Sequence, residues 1–140
     1  MAWCEVARWR GWKISDLLIM VPNGAYLGAD AKKRAQTMAR LKRSGFRNGV
    51  FDYLLPVPIW SRTAIPPEIL TPGLWLELKR TIGGRSSEDQ AEFQGQMELF
   101  GWKCVVAKGR DQAVQAITEY LALSGDKITI GWDPHRRTDL

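Results

Sequence analysis

Two short segments of the chain place charged side chains inside apolar, strand-like runs. In Leu74–Lys79 (LWLELK) the acid Glu77 and the base Lys79 stand two residues apart, a spacing that puts both on one face of a β-strand. A second run, 49–55 (GVFDYLL), carries Asp52 among β-forming residues, where aspartate goes against propensity. If the two strands pair, two carboxylates and an ammonium group can share one face.

Such a face could assist chemistry through a metal ion. Two neighbouring carboxylates repel each other unless a proton or a cation lies between them. Their oxygens suit a hard divalent ion such as magnesium. An acid and a base two residues apart also occur as an ordinary surface ion pair, which contributes about 0 to 1 kcal/mol and needs no function. The additional aspartate, Asp52, favours the metal site over that alternative.

The composition is that of one globular domain. Of the 140 residues, 45% are hydrophobic and 25% are charged, as in an average soluble protein. There is no apolar run of membrane-spanning length and no apolar centre of a secretory signal near the N-terminus, so we expect a cytosolic protein. Cys4 and Cys104 lie far apart without a C-x-x-C spacing. We therefore expect buried, reduced thiols and not a disulfide or a zinc site.

The charge distribution predicts a polyanionic partner. The formal net charge is +5, and no acidic residue occurs between Asp30 and Asp52. The cations of that interval are Lys32, Lys33, Arg34, Arg40, Lys42, Arg43 and Arg47. A segment of one sign is a candidate phosphate-binding surface, and the alternative is a solvated helix face.

The first half of the chain predicts helices and one early strand. Residues 3–10 (WCEVARWR) have helical character, and Asp16–Met20 is typical of a strand followed by a turn at 21–24. Asp30 is a predicted N-cap of a helix that ends at Ser44 and Gly45. Its apolar positions, at the spacing of one buried face, are Ala31, Ala35, Met38 and Leu41.

The second half predicts a βαβ unit. After a proline-rich excursion over 56–72, the strand Leu74–Lys79 is followed by a helix from Ser87 to Gly101 and a strand over 102–107 (WKCVVA). The inward stripe of that helix is Gln90, Phe93, Met97 and Phe100. A last helix over 110–123 directs Val114, Ile117 and Leu121 inward. A parallel pair of strands with a right-handed helical crossover is expected.

The element order predicts an α/β fold in which helices flank a central sheet. We assign residues 1–123 to a single domain and 124–140 to a C-terminal tail with one short strand. The single histidine, His135, lies in that tail, where we expect it to be exposed and not catalytic.

The ordered motifs resemble those of a nuclease superfamily. G-x-x-x-G-V-x-D, ending at Asp52, is followed by Glu-Leu-Lys at 77–79 and then by Ser-x-x-Gln at 87–90, in a helix that ends at a glycine and an aromatic residue. This set is similar to the PD-(D/E)XK nucleases, most closely to the virus-type replication-repair nuclease (VRR-NUC) branch and its small stand-alone phage members. The similarity extends from about Val21 to Leu121.

The resemblance implies a restriction-endonuclease-like central mixed β-sheet and phosphodiester cleavage that depends on Mg²⁺ or Mn²⁺. It identifies Asp52 as the motif aspartate, Glu77 and Lys79 as the E-x-K pair, and Gln90 as the downstream glutamine. The metal would be held by Asp52, Glu77 and the backbone carbonyl of Leu78.

Two positions depart from the family pattern, and a third residue has a second explanation. Phe51 stands where the family motif has a proline, which is not a ligand. The family also carries an acidic residue on its first helix, for which Glu5 is the candidate. Gln90 occupies the third helical position after Ser87, so a capping box alone would explain its presence.

The partner implied by the resemblance is DNA, cut at branched structures such as four-way (Holliday) junctions or flaps by a homodimer, in the host cytosol if the protein is phage-encoded. Arg80 and Arg85, on either side of Gly83 and Gly84, join the basic segment as expected phosphate contacts. Two other functions fit the same residues. One is a DNA-binding protein that keeps the fold without catalysis, and the other is a nuclease that acts on RNA or in host defence.

Overall fold

The structure is a computed structural model that describes residues 2–22 and 29–131. Its helices are α1 (Ala2–Val6), α2 (Ile14–Leu17), α3 (Ala31–Arg43), α4 (Glu88–Leu99) and α5 (Gly109–Ala122). Its strands are β1 (Ala7–Trp9), β2 (Trp12–Lys13), β3 (Ile19–Met20), β4 (Tyr53–Leu55), β5 (Ile59–Trp60), β6 (Ile69–Thr71), β7 (Leu74–Lys79), β8 (Lys103–Lys108) and β9 (Thr129–Ile130). Residues 23–24 of the turn predicted at 21–24 lie outside the described residues, and so does His135.

The central sheet has four strands in the order β3-β4-β7-β8. β4 is antiparallel to both β3 and β7, whereas β7 and β8 are parallel and are connected through α4. The predicted mixed sheet with flanking helices and the predicted βαβ unit are therefore confirmed. The proline-rich excursion over 56–72 forms a separate two-stranded sheet of β5 and β6.

The two faces of β7 pack against different helices because its side chains alternate. Leu74 and Leu76 are fully buried in one core with Ile117 and Leu121 of α5. The other face carries Trp75, Glu77 and Lys79. On that face α4 contributes Phe93, whose ring makes an edge contact with Trp75 at 5.0 Å and lies 5.5 Å from Phe51. The start of α4 thus lies over the polar half of β7.

The N-terminal prediction was only partly correct. Helix α1 ends at Val6, and the following residues form a β-hairpin in which Trp9 is paired with Trp12. Arg10 and Gly11 make its two-residue turn, with φ values of 49° and 84°, as type I′ hairpins require. Strand β9 then pairs with β1.

One further prediction in the same part of the chain needs correction. The strand predicted for Asp16–Met20 is confined to Ile19 and Met20, because helix α2 occupies Ile14–Leu17.

The basic helix α3 has the predicted ends but not the predicted buried face. The Asp30 carboxylate accepts hydrogen bonds from the backbone N–H groups of Lys32 and Lys33 at 2.9 and 3.1 Å, and Ser44 is the C-cap. No residue of the helix is buried. Of the four apolar positions, Met38 and Leu41 are half-buried, and Ala31 and Ala35 are exposed. Two alanines bury too little apolar surface to dock a helix whose remaining faces are cationic.

The other helices agree better with the sequence. In α4, Phe93 is buried and Met97 is half-buried. Phe100, just past the end of the helix, is 63% exposed, so the prediction that it faces inward is wrong. In α5, Ile117 and Leu121 are buried as predicted, whereas Val114 is half-buried. None of the helices in residues 2–22 and 29–131 has the length and apolarity needed to cross a membrane.

Both thiols are buried and unbridged, as predicted. Desolvation raises the pKa of Cys104 to about 12, and the carboxylate of Glu98 adds to this effect. Burial also raises the pKa of Cys4. Both residues therefore act as small apolar groups at neutral pH.

Candidate active site

The strand pairing brings Asp52 beside the Glu77–Lys79 segment. Tyr53 of β4 is paired with Leu76 of β7, so Asp52, in the bend just before β4, lies across from Glu77. The Asp52 Oδ2 atom accepts a hydrogen bond from the backbone N–H of Leu78 at 2.9 Å. That bond fixes the carboxylate at the edge of β7.

Glu77 and Lys79 form a buried ion pair. The Lys79 Nζ atom lies 2.8 Å from Glu77 Oε1, and the two side chains are only 14% and 4% exposed. The interpretation of an exposed surface pair is therefore wrong for these residues. A buried pair costs desolvation energy, so its presence calls for a structural or functional reason.

Gln90 takes part in the capping box of α4 and also contacts the ion pair. In the capping box of α4, Gln90 Oε1 accepts a hydrogen bond from the Ser87 backbone N–H at 3.1 Å, and the Gln90 backbone N–H donates one to Ser87 Oγ at 3.2 Å. The same Oε1 accepts from Lys79 Nζ at 2.7 Å, and Nε2 donates to Glu77 Oε1 at 2.5 Å. One side chain thus connects the helix cap to the ion pair.

The second oxygen of Glu77 has no hydrogen-bond partner within residues 2–22 and 29–131. Glu77 is 3% exposed, and its Oε2 atom is buried. A buried, unpaired carboxylate oxygen is costly, and a hard cation is the partner that would remove that cost. Since Asp52 supplies a second carboxylate across the strands, the donor set fits a divalent ion such as Mg²⁺ or Mn²⁺.

The side chains available to bind a metal ion are few in the part of the chain that the structure describes. No group of three or more acidic, histidine or cysteine side chains is arranged there so that it could hold a metal ion. Glu5, the candidate for the acid of the first helix, is an exposed residue of α1 and does not join Asp52 and Glu77 in such a cluster. Further ligands would have to come from the Leu78 carbonyl, water or a substrate phosphate.

Asp52 lies between two open clefts. The first has a volume of about 380 Å³ and is lined by Met38, Phe46, Arg47, Asn48, Gly49, Val50, Asp52, Ser87 and Gln90. The second, of about 330 Å³, is lined by Met20, Val21, Pro22, Asp52, Tyr53 and Leu78. A ligand in either cleft could reach the same carboxylate, and both clefts are open to solvent.

Of the predicted phosphate contacts, Arg47 is the one that lines the first cleft, and helix α3 contributes Met38 to the same lining. All the predicted basic residues except Arg47 are exposed, namely Lys32, Lys33, Arg34, Arg40, Lys42, Arg43, Arg80 and Arg85. Arg80 and Arg85 follow the end of β7.

Gly49 sets the distance between the Asp52 segment and α4, a role that we did not predict. Its φ is +77°, and a Cβ atom at this position would lie 2.3 Å from the backbone carbonyl carbon and oxygen of Asp89, in the first turn of α4. Only glycine permits this approach. The glycine of the G-V-x-D motif, four residues after another glycine, was the signal in the sequence.

Replacing Gly49 with alanine is therefore expected to destabilise the protein by about 2 kcal/mol or more, because left-handed strain adds to a backbone collision. Gly45→Ala is the matched control, since Gly45 has φ +94° but open space around it. Its cost should be near 1 kcal/mol. Urea unfolding of both variants checks the difference, and equal losses would contradict the close approach at Gly49.

Comparisons with known proteins bear on the fold. No protein-family model matches the chain, and no curated protein matches it at a significant level. A solved structure described as a "VRR_NUC domain protein" is similar, with a TM-score of 0.68, 21% sequence identity, and coverage of 87% of this chain and 81% of that chain. This likeness confirms the fold that the motifs imply. The chain therefore has the fold of a VRR-NUC domain.

Proposed function

We propose that the protein is a DNA endonuclease that hydrolyses phosphodiester bonds with Mg²⁺ or Mn²⁺. The observation that carries the proposal is the buried carboxylate of Glu77. Lys79 and Gln90 bind one of its oxygens, and the other has no hydrogen-bond partner among the described residues. Asp52 lies across from Glu77 in the strand register. A purely structural ion pair would be expected to satisfy both oxygens. A carboxylate with one oxygen left open suits a site that binds a cation.

The metal would be held by Asp52, Glu77 and the carbonyl of Leu78. When bound, such an ion supplies Lewis-acid polarisation of a phosphate and acidification of water. The rate acceleration that phosphodiester hydrolysis demands, up to ~23 kcal/mol of barrier reduction, exceeds what a single lysine can supply.

Lys79 and Gln90 would position the reacting groups around the metal. The Lys79 ammonium, fixed by Glu77 and Gln90, would orient the attacking water and offset negative charge that grows on the phosphate in the transition state. Gln90 keeps Lys79 and Glu77 in register with each other, and its capping bonds with Ser87 tie this arrangement to the start of α4. Catalytic roles are thus proposed for Asp52, Glu77, Lys79 and Gln90.

The protein would bind DNA through contacts between its cations and the phosphate backbone of the DNA. The exposed cations of α3, a helix that lines the first cleft through Met38, would provide sequence-independent phosphate contacts together with Arg80 and Arg85 after β7. Such contacts predict binding that weakens steeply as salt increases.

We also propose that the substrate is branched DNA and that the enzyme acts as a homodimer. Cleavage of branched DNA, such as four-way junctions or flaps, by a homodimer rests on the resemblance to small phage VRR-NUC members. Two sites related by a two-fold axis would suit paired incisions. A monomer in light scattering that degrades linear duplex as fast as a junction would contradict this part alone.

The experiment for the main proposal uses labelled four-way junction, flap, linear duplex and RNA oligonucleotides, each with Mg²⁺, Mn²⁺ or EDTA. We expect cleavage of DNA in the presence of either metal, none in EDTA, and a preference for the branched substrates. Cleavage of RNA only would favour the alternative substrate, and cleavage that persists in EDTA would contradict the proposed metal dependence.

The second candidate function is DNA binding without catalysis. The absence of a third acid beside Asp52 and Glu77 within residues 2–22 and 29–131 favours it. It predicts tight, salt-dependent DNA binding with no cleavage of any substrate in either metal.

A further inference from the structure

Arg47 differs from the other cations of the basic segment because the protein holds its side chain in place. It lies in the loop between α3 and β4, and its Nη1 donates a hydrogen bond to Gln96 Oε1 of α4. Its guanidinium carbon lies 5.4 Å from the centre of the Phe93 ring, which is 3% exposed. Two contacts from α4 therefore fix both the position and the orientation of the guanidinium plane.

The contacts of Arg47 position its charge without neutralising it. Gln96 and Phe93 are both uncharged. The ion pairs of the described residues are Arg10–Asp126 and Lys79–Glu77, so no carboxylate within 2–22 and 29–131 pairs with Arg47. A half-buried cation that keeps its charge and faces a cleft is suited to an anionic ligand.

Arg47 also lies at the proposed active site, since it lines the same 380 Å³ cleft as Asp52 and Gln90. The six cations of α3 differ from it in that their side chains make no hydrogen bond or ion pair within the described part of the chain. A flexible cation loses conformational freedom when it binds, whereas a fixed guanidinium has already lost it. Arg47 should therefore contribute more to binding than any single cation of the helix.

We propose that Arg47 is a pre-positioned phosphate-binding residue of this cleft, and that Gln96 and Phe93 are its positioning residues. The inference rests on the proposed function and deepens it. The guanidinium uses one nitrogen for Gln96 and one face for Phe93, which leaves further N–H donors for two parallel bonds to a backbone phosphate of the nucleic acid.

The test compares Gln96→Ala, Arg47→Lys and Arg47→Ala in anisotropy titrations of labelled DNA with EDTA present, so that binding is read without cleavage. Arg47→Lys keeps the charge but loses the planar fork, and we expect affinity to fall about tenfold. Gln96→Ala removes no charge and should weaken binding about fivefold, because Arg47 loses its orientation.

The salt dependence separates a phosphate contact from a structural effect. Arg47→Ala should reduce the slope of log affinity against log salt by about 1, whereas Gln96→Ala should leave the slope unchanged. In cleavage assays both variants should raise KM more than they lower kcat. Thermal unfolding of each variant identifies any loss that comes from misfolding.

Lys103→Ala is the matched control. It also removes an exposed cation, but Lys103 is paired with Leu74, at the opposite end of β7 and β8 from Lys79. Its affinity should stay within about twofold of wild type. Wild-type affinity in Gln96→Ala and Arg47→Lys, or losses no larger than that of Lys103→Ala, would overturn the inference.

These outcomes can be told apart from failure of the proposed function. A protein that binds DNA without cleaving it would contradict the endonuclease proposal, while a weaker affinity of the Arg47 and Gln96 variants would still support the phosphate contact. A protein that cleaves DNA equally well with and without these substitutions would contradict the contact and leave the endonuclease intact.

Discussion

Replacing Glu77 with glutamine is expected to lower the rate of DNA cleavage by at least about a thousandfold while DNA binding persists. Metal polarisation of a phosphate is worth several kcal/mol, and each 1.4 kcal/mol of barrier corresponds to a factor of ten. Glutamine keeps the shape of the side chain and an oxygen that can accept from Lys79 and Gln90. The substitution therefore removes the charge without opening a cavity.

Thermal unfolding gives the same prediction a readout that does not depend on activity. A ligand that binds only the folded state raises its stability, so Mn²⁺ should raise the Tm of the wild type and leave that of Glu77→Gln nearly unchanged. Glu119→Gln, on the exposed surface of α5, is the control and should retain both cleavage and the Mn²⁺ effect. Full cleavage by Glu77→Gln would contradict the site.

Replacing Lys79 with methionine is expected to abolish cleavage and also to destabilise the folded protein by about 3 kcal/mol in EDTA. The lysine is the only cation that forms an ion pair with Glu77 among the described residues, and Glu77 is 3% exposed. Removing one partner of a buried pair leaves an uncompensated buried charge. Urea unfolding should show the midpoint lowered by about 1 M or more.

The double variant Glu77→Gln/Lys79→Met identifies the cause of that loss. Since neither residue then carries a charge, we expect most of the stability to return although activity does not. A cost below about 1 kcal/mol for Lys79→Met alone would mean that water solvates Glu77. An equally low stability of the double variant would point to lost packing of the lysine stem.

The position of the acid and the base could be predicted because it depends on local geometry. Alternating leucines in LWLELK specify a strand, and a spacing of two then places Glu77 and Lys79 on one face. The burial of that face could not be predicted from the strand, since it depends on where α4 starts above it. Two contacts between residues distant in sequence fix that position, namely the close approach of Gly49 to Asp89 and the hydrogen bonds of Gln90 to Glu77 and Lys79.

The burial of helix α3 could not be predicted from its sequence either. Its ends follow from Asp30 and Ser44, whose hydrogen bonds are local. The spacing of Ala35, Met38 and Leu41 indicates which face is apolar but not whether another element covers it, and none of these residues is buried. Gln96, which holds Arg47, gave no signal in the sequence because its partner lies 49 residues away.

The N-terminal hairpin shows how a short turn can override helical composition. Residues 3–10 favour a helix by spacing, but the turn at Arg10 and Gly11 pairs Trp9 with Trp12 across two strands. Arg10 is held at its positive φ by stacking on Trp9 at 4.5 Å and by an ion pair with Asp126 at 2.6 Å. The second contact lies 116 residues away in sequence, beyond the reach of local patterns.

Cleavage of a labelled four-way junction in Mn²⁺ should separate the wild type from Asp52→Asn when the two proteins are purified side by side. Asp52 holds its position through the N–H of Leu78, and an asparagine oxygen can accept the same hydrogen bond, so the fold should be preserved. We expect rapid cleavage by the wild type, none with EDTA, and a loss of at least about a thousandfold in the variant. Equal cleavage by the two proteins, or binding of the junction by both without cleavage, would contradict a metal-dependent active site at Asp52.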